Sequence, residues 1–155
     1  MANATPQPVC ANGQTPFEVA RNWIDAAARC DLPAIESAMA QNCKRFGEPN
    51  WMVMDKAGYI TAYRQYLVSF SDYRLEIVNT MTRGMTTVFE MIESATFSHP
   101  YPLPDGRIIQ PNGETYTDRV CTWVDVGDDG LITEVRAYIP STRSALMANA
   151  IAAMG

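Results

Sequence analysis

Between Tyr73 and Ile139 the apolar residues recur at every second position in four runs, the longest from Thr115 to Val126. A period of two sends alternate side chains to opposite faces of a strand, so each run reads as a strand with one inward face. In the first, Tyr73, Leu75, Ile77, Asn79 and Met81 oppose Arg74, Glu76, Val78 and Thr80. Gly84 breaks it, and the second run aligns Phe89, Met91, Glu93, Ala95, Phe97 and His99 on one face. A proline-punctuated excursion, HPYPLPDGRIIQPNGE, separates it from the third run, where Asp118, Val120, Thr122, Val124 and Val126 share a face. GDDG reads as a hairpin turn, and Leu131 to Ile139 as the last strand.

Ahead of these runs the period is helical. Thr15-Pro16-Phe17-Glu18 is a capping box with proline at the first helical position, opening a helix over about 16–30. Asp31-Leu32-Pro33 starts a short helix to about Ala40, CKRFGEPNW reads as a short strand broken by Gly47 and Pro49, and Asp55 caps a helix over about 56–70. Ser141 caps a C-terminal helix of small apolar residues. Helices followed by an antiparallel meander specify an α+β fold: three N-terminal helices in the concave face of a curved, mostly antiparallel, cone-shaped sheet, plus a C-terminal helix. Residues 1–14 read as a flexible leader and 15–155 as a single domain. The interior of such a cone is a natural ligand cavity.

Composition excludes several function classes. A net charge of −5 with scattered Lys and Arg gives no basic face, so no nucleic-acid partner is expected. No apolar run of about 18 residues is present, so no membrane span or membrane partner is expected. The N-terminus lacks the charged and apolar regions of a signal peptide, and Cys10, Cys30, Cys43 and Cys121 form no disulfide or zinc spacing. They read as reduced packing residues of a cytoplasmic protein. With one histidine and no calcium-loop pattern no metal site is expected, and with no glycine-rich phosphate loop no nucleotide cofactor.

Titratable residues on apolar faces are the candidates for chemistry. His99 and Asp118 offer a proton donor and acceptor, and Glu93 a base whose pKa burial would raise. Glu48, beside Gly47 and Pro49, is a further carboxylate candidate. The same faces and the helical stripes supply the expected substrate contacts: Asn79, Phe89, Met91, Phe97, Tyr63, Trp23 and Thr122. On the outer faces Cys121 and Trp123, with Ile132 and Tyr138, form an expected homodimer surface, where Arg119, Glu134 and Arg136 would pair across a two-fold axis.

The segment MIESATFSHPYPLPDGRIIQPNGETYTDRVCTWVDVGDDGLITEVRAYIP resembles the C-terminal half of SnoaL-like polyketide cyclases, of the nuclear transport factor 2-like cone-fold superfamily. The likeness lies in a strand ending near a histidine, an excursion closing on PNGE, a strand, and DDGLITEVRAY. It implies that His99 and Asp118 line the cavity. Glu48-Pro49 resembles the Asp-Pro pair of ketosteroid isomerases, but Trp23 and Thr122 stand where that family has an oxyanion tyrosine and a second aspartate. Of the Asp-Arg-Asp set of the epoxide hydrolases, only the first is matched, by Glu93; Met91 and Ala137 replace the others. The resemblance implies a cofactor-free acid–base enzyme of secondary metabolism, isomerising, cyclising or eliminating on an apolar polyketide- or terpenoid-like molecule. The alternatives are an epoxide or lactone hydrolase using an activated water, or a non-catalytic module binding an apolar ligand.

Overall fold

The structure, a computed structural model, describes residues 7–47, 51–140 and 142–154. The chain runs α1 (Pro16–Ala28), α2 (Leu32–Ser37), β1 (Met39–Gly47), β2 (Met52–Asp55), α3 (Lys56–Ser69), β3 (Phe70–Arg83) and β4 (Thr86–Phe97). It continues through β5 (Tyr101–Pro102), β6 (Ile108–Ile109), β7 (Thr115–Val126), β8 (Ile132–Tyr138) and α4 (Thr142–Ala152). One six-stranded sheet has the order β2-β1-β8-β7-β4-β3, antiparallel except where β1 lies parallel to β8. The expected α+β architecture is the one observed, a curved, mostly antiparallel sheet with helices in its concavity.

Local chemistry explains the helix starts. The Thr15 hydroxyl accepts from the Glu18 N–H at 3.2 Å, and the Thr15 N–H donates to Glu18 Oε2 at 2.7 Å, closing the capping box. Asp55 caps α3 by accepting from the Gly58 N–H at 2.8 Å. The segment expected to be a leader is tied down from Cys10 onward. Cys10 is buried, and the Ala11 N–H donates to the Asp128 carbonyl at 2.7 Å, joining the segment to the turn before β8.

Three departures from the sequence reading matter for the site. In β3 the register against β4 shifts between Ile77 and Asn79, a bulge at Val78. The extra residue inverts the alternation, so Tyr73, Leu75 and Ile77 stay partly buried while Asn79 and Met81 turn outward and are exposed. Asn79, expected among the substrate contacts, therefore does not face the concave side. A second irregularity, between the Asp125 and Val126 pairings, turns Ile132 into the core, so it does not belong to the outer patch. Finally, β4 stops at Phe97 because the next two N–H groups, of Ser98 and His99, both donate to the Ser69 carbonyl, and Pro100 has no donor. Elsewhere α2 is shorter than expected, β1 starts earlier, and β2 and the β5–β6 hairpin are additional.

Two apolar clusters fill the concave side. One joins α1 and α2 to the middle of the sheet through Val19, Ile24, Ile35, Phe89, Val124 and Val135. The other gathers Tyr66, Phe70, Phe97, Ile109, Tyr116 and Leu146, so α4 packs inside the concavity as well. Among the described residues no helix is long and apolar enough to cross a membrane. Phe89 is fully buried, and Phe89→Ala is expected to lower unfolding free energy by about 3–5 kcal/mol. Thr15→Ala, which removes the cap, is expected to cost about 1 kcal/mol. Urea denaturation measures both, and an unchanged midpoint for Phe89→Ala contradicts this packing.

Candidate active site

Between the two clusters lies a cavity of about 460 Å³, within the range that holds a small organic ligand. Its walls are mostly apolar: Trp23 and Ile24 of α1, Met91 of β4, Val120 of β7, Val135 of β8 and Met147 of α4. Strand alternation places the polar groups. Along β4 every second residue is buried, so Glu93 points inward between Met91 and Ala95. Across the ladder Glu93 stands directly opposite Asp118, which is inward on β7 for the same reason.

Glu93 lines the cavity at 7% exposure, and a carboxylate this buried must be paired or hold its proton. The Tyr116 hydroxyl donates to Glu93 Oε1 at 3.1 Å, reaching diagonally from two positions along β7. Tyr66 of α3 makes a short hydroxyl–hydroxyl bond to Tyr116, and because the Tyr116 proton goes to Glu93, Tyr66 is its donor. Arg143 of α4 places its guanidinium 5.0 Å from the Tyr66 ring centre. Arg45, inward on β1, sits 5.8 Å from the Tyr59 ring centre.

Burial raises the Glu93 pKa above the ordinary glutamate value, and the Asp118 charge opposite adds to the rise; Arg143, the Tyr116 hydrogen bond and Arg45 oppose it. Burial and the Glu93 charge likewise hold Tyr66 and Tyr116 well above the usual phenol value, so both remain protonated donors at neutral pH. Burial pushes Tyr59 up to about 12. Desolvation works against the Arg143 charge, but Glu93, Tyr116 and Tyr66 outweigh it and hold the guanidinium above its ordinary pKa.

The sequence candidates distribute unevenly. Glu93, Met91, Tyr63, Trp23 and Thr122 line the cavity. Asp118 is buried beside Glu93, and its Oδ2 has no hydrogen-bond partner among the described residues. Phe89 and Phe97 lie on the same inward face of β4 as Glu93 but are buried in the two apolar clusters and do not line the cavity. His99 lies past the end of β4, exposed, with Nδ1 2.9 Å from the Ser98 hydroxyl, and does not face the cavity. Extending the alternation two residues beyond the strand placed it there in error. Glu48 lies outside the described residues. Tyr116 and Arg143 were missed. Tyr116 shares the Asp118 face two residues earlier, and Arg143 is the one charged residue of the α4 sequence TRSALMANAIA.

The chain belongs to the SnoaL-like domain family, whose profile matches residues 20–135. Among solved structures, a candidate SnoaL-like polyketide cyclase from Jannaschia Sp. CCS1 superposes with a TM-score of 0.72 at 14% identity, covering 94% of this chain and 96% of that one. AclR, a candidate hydroxylase from Streptomyces galilaeus, gives 0.71 at 16% identity, covering 86% and 96%. BvnE pinacolase from Penicillium brevicompactum gives 0.69 at 13%, covering 89% and 91%. Identities this low establish a shared fold. No match was found among curated protein sequences.

The raised Glu93 pKa fixes a sign for stability. The folded state holds that proton at a pH where the unfolded chain has released it, so stability falls as pH rises from the ordinary glutamate range, about 4.3, through the raised value. Glu93→Gln is expected to flatten this dependence and to be more stable than wild type above the window. Denaturation midpoints measured against pH check it, and parallel profiles for the two proteins contradict it.

Proposed function

We propose that the chain is an acid–base enzyme of small-molecule secondary metabolism that needs no cofactor and moves a proton on an apolar polyketide- or terpenoid-like substrate. The observation that carries this reading is a buried carboxylate with a raised pKa, joined to two tyrosine hydroxyls at the wall of an apolar cavity. Membership of the SnoaL-like family and the names of the structural relatives, cyclase and pinacolase among them, support an enzyme of the cyclase or isomerase kind.

In this reading ionised Glu93 takes a proton from a carbon next to a substrate carbonyl. The C–H electron pair passes into the enolate, whose charge is stabilised by the Arg143 guanidinium. Tyr116 and Tyr66 hold the carboxylate in place, and Asp118 behind it favours the proton's capture. Protonated Glu93 then returns the proton at another carbon, giving an isomer, or the enolate carbon attacks a second carbonyl and closes a ring, and Glu93 returns its proton to the alkoxide that forms. The catalytic pair is Glu93 with Arg143, in place of His99 with Asp118.

On the true substrate, Glu93→Gln is expected to lower kcat/KM by about 10²–10⁴-fold, with His99→Ala unchanged. Wild-type kcat/KM should rise with pH through the raised Glu93 pKa. A Glu93→Gln protein that folds and turns over at the wild-type rate refutes the mechanism, whereas a wild-type protein that binds apolar ligands and turns none over favours a binding module. Hydrolysis by a water between Glu93 and Asp118 is the second reading, favoured by the unpartnered Asp118 Oδ2. Label from ¹⁸O-water in the product would establish it over isomerisation.

A homodimer through the outer sheet face belongs to the same proposal. Trp123 and Tyr138 are exposed there, and Tyr138 and Met81 border a groove of about 710 Å³. Such patches mark interfaces. The charged residues of this face pair within the chain, Arg119 with Glu90 at 2.5 Å and Arg136 with Asp125 at 2.7 Å and with Glu134, so the contact would rest on its aromatic residues. Sedimentation at micromolar concentration should give twice the 17.2 kDa chain mass, and Trp123→Glu should halve it. A monomer in wild type refutes the dimer.

A further inference from the structure

Besides the group around Glu93, the cavity carries a second set of polar side chains. Arg45 of β1, Tyr59 of α3 and Thr122 of β7 all line it, and proton transfer at Glu93 uses none of them. Backbone geometry gathers them. Cys43, Arg45 and Gly47 are the inward residues at the end of β1. Gly47 has no side chain, and the Arg45 guanidinium occupies the space one would fill. A β-carbon there would stand 2.8 Å from Arg45 Cζ and 2.9 Å from the Ala137 carbonyl oxygen. Ala137 is in turn the cross-strand neighbour of Thr122. The same guanidinium lies over the Tyr59 ring, 5.8 Å from its centre.

The hydroxyls of this set differ from those around Glu93. Tyr63, Tyr66 and Tyr116 each donate within the protein, to the Ala27 carbonyl, to Tyr116 and to Glu93. The Tyr59 and Thr122 hydroxyls have no hydrogen-bond partner among the described residues. Among those residues the unpartnered side-chain atoms shut off from any access are Trp23 Nε1 and Asp118 Oδ2, so both hydroxyls are open. Tyr59, pushed up to about 12 by burial against the opposing Arg45 charge, stays a protonated donor at neutral pH. Arg45 has five N–H donors in a planar fork, enough to serve protein partners and a ligand oxygen together. A guanidinium beside open hydroxyls in a mostly apolar wall matches a carboxylate, which accepts at two oxygens and forms the stronger, charge-assisted bonds.

We infer that Arg45, Tyr59 and Thr122 form a carboxylate subsite, so that the ligand of this cavity is an apolar organic acid held by its carboxylate on the guanidinium fork. The inference rests on the proposed function only in taking this cavity as the substrate site, and it makes Arg45 a specificity-determining residue.

2-Naphthoate and 2-naphthamide have nearly the same shape and differ in charge. In fluorescence titration at neutral pH the wild-type protein is expected to bind naphthoate about tenfold more tightly, the lower end of what a hydrogen bond to a charged group contributes. Arg45→Met keeps the apolar stem and removes the charge, and should bring the two affinities within about twofold by weakening naphthoate alone. Arg45→Lys restores the charge without the fork and should recover part of the preference. Thr122→Val and Tyr59→Phe each remove one hydroxyl and should each weaken naphthoate about fivefold, so the test stands even if Arg45→Met does not fold. A wild-type protein that binds both probes equally, or neither, overturns the subsite. So does a naphthoate preference that survives Arg45→Met, which would move the carboxylate to Arg143, or a matching loss of both probes in that variant. Naphthoate affinity unchanged in both hydroxyl variants overturns it as well. Binding alone is read, so these results and the Glu93→Gln turnover result fail independently.

Discussion

The buried carboxylate of Glu93 is the constraint to which the rest of the site answers. A charge in an apolar wall is tolerated only with hydrogen-bond donors and opposite charge close by, and here they come from four separate elements. Tyr116 arrives from the neighbouring strand, Tyr66 from α3, Arg143 from α4 and Arg45 from β1. None is close to Glu93 in sequence. The sheet and both helices must be in place before the carboxyl group has its partners, so its protonation reports on the completed fold. Asp118 raises the Glu93 pKa and the Arg143 guanidinium lowers it, with burial tipping the balance upward.

Much of this was legible in the chain before any coordinates. Period-two runs located β4 and β7, and the inward direction of Glu93 and Asp118 followed from parity alone. The capping residues Thr15 and Asp55 marked the starts of α1 and α3. What parity cannot show is where it breaks. A bulge adds one residue without any change in composition, so Val78 and the irregularity before Ile132 moved Asn79, Met81 and Ile132 to the faces opposite those read from the pattern. His99 failed for a related reason: the apolar pattern continues past the last ladder bond, and only Pro100 warned of the strand's end.

Tertiary partners were harder still. Arg143 sits in a helix whose small residues suggest nothing but packing, and its role depends on α4 folding back into the concavity. Pairing of β1 with β8 joins residues about ninety positions apart, and no local signal carries such a contact. Arg45 owes its place in the cavity wall to that pairing. Gly47 follows on the same face, and a β-carbon there would meet the Arg45 guanidinium at 2.8 Å and the Ala137 carbonyl at 2.9 Å.

The parallel seam between β1 and β8 also orders events during synthesis. Until Ile132 to Tyr138 have been made, β1 can pair only with β2, and a two-stranded hairpin has little stability of its own in water. The β3–β4–β7 meander closes through neighbours in sequence and can assemble earlier; β1 must wait for the last strand to slot in beside it. Contacts of such wide sequence separation slow folding, because the loop entropy is lost before the contact is gained. The strand that carries Arg45 is thus among the first translated and the last to be seated, and a nascent chain that stops short of β8 lacks every part of the cavity lining that β8 and α4 supply.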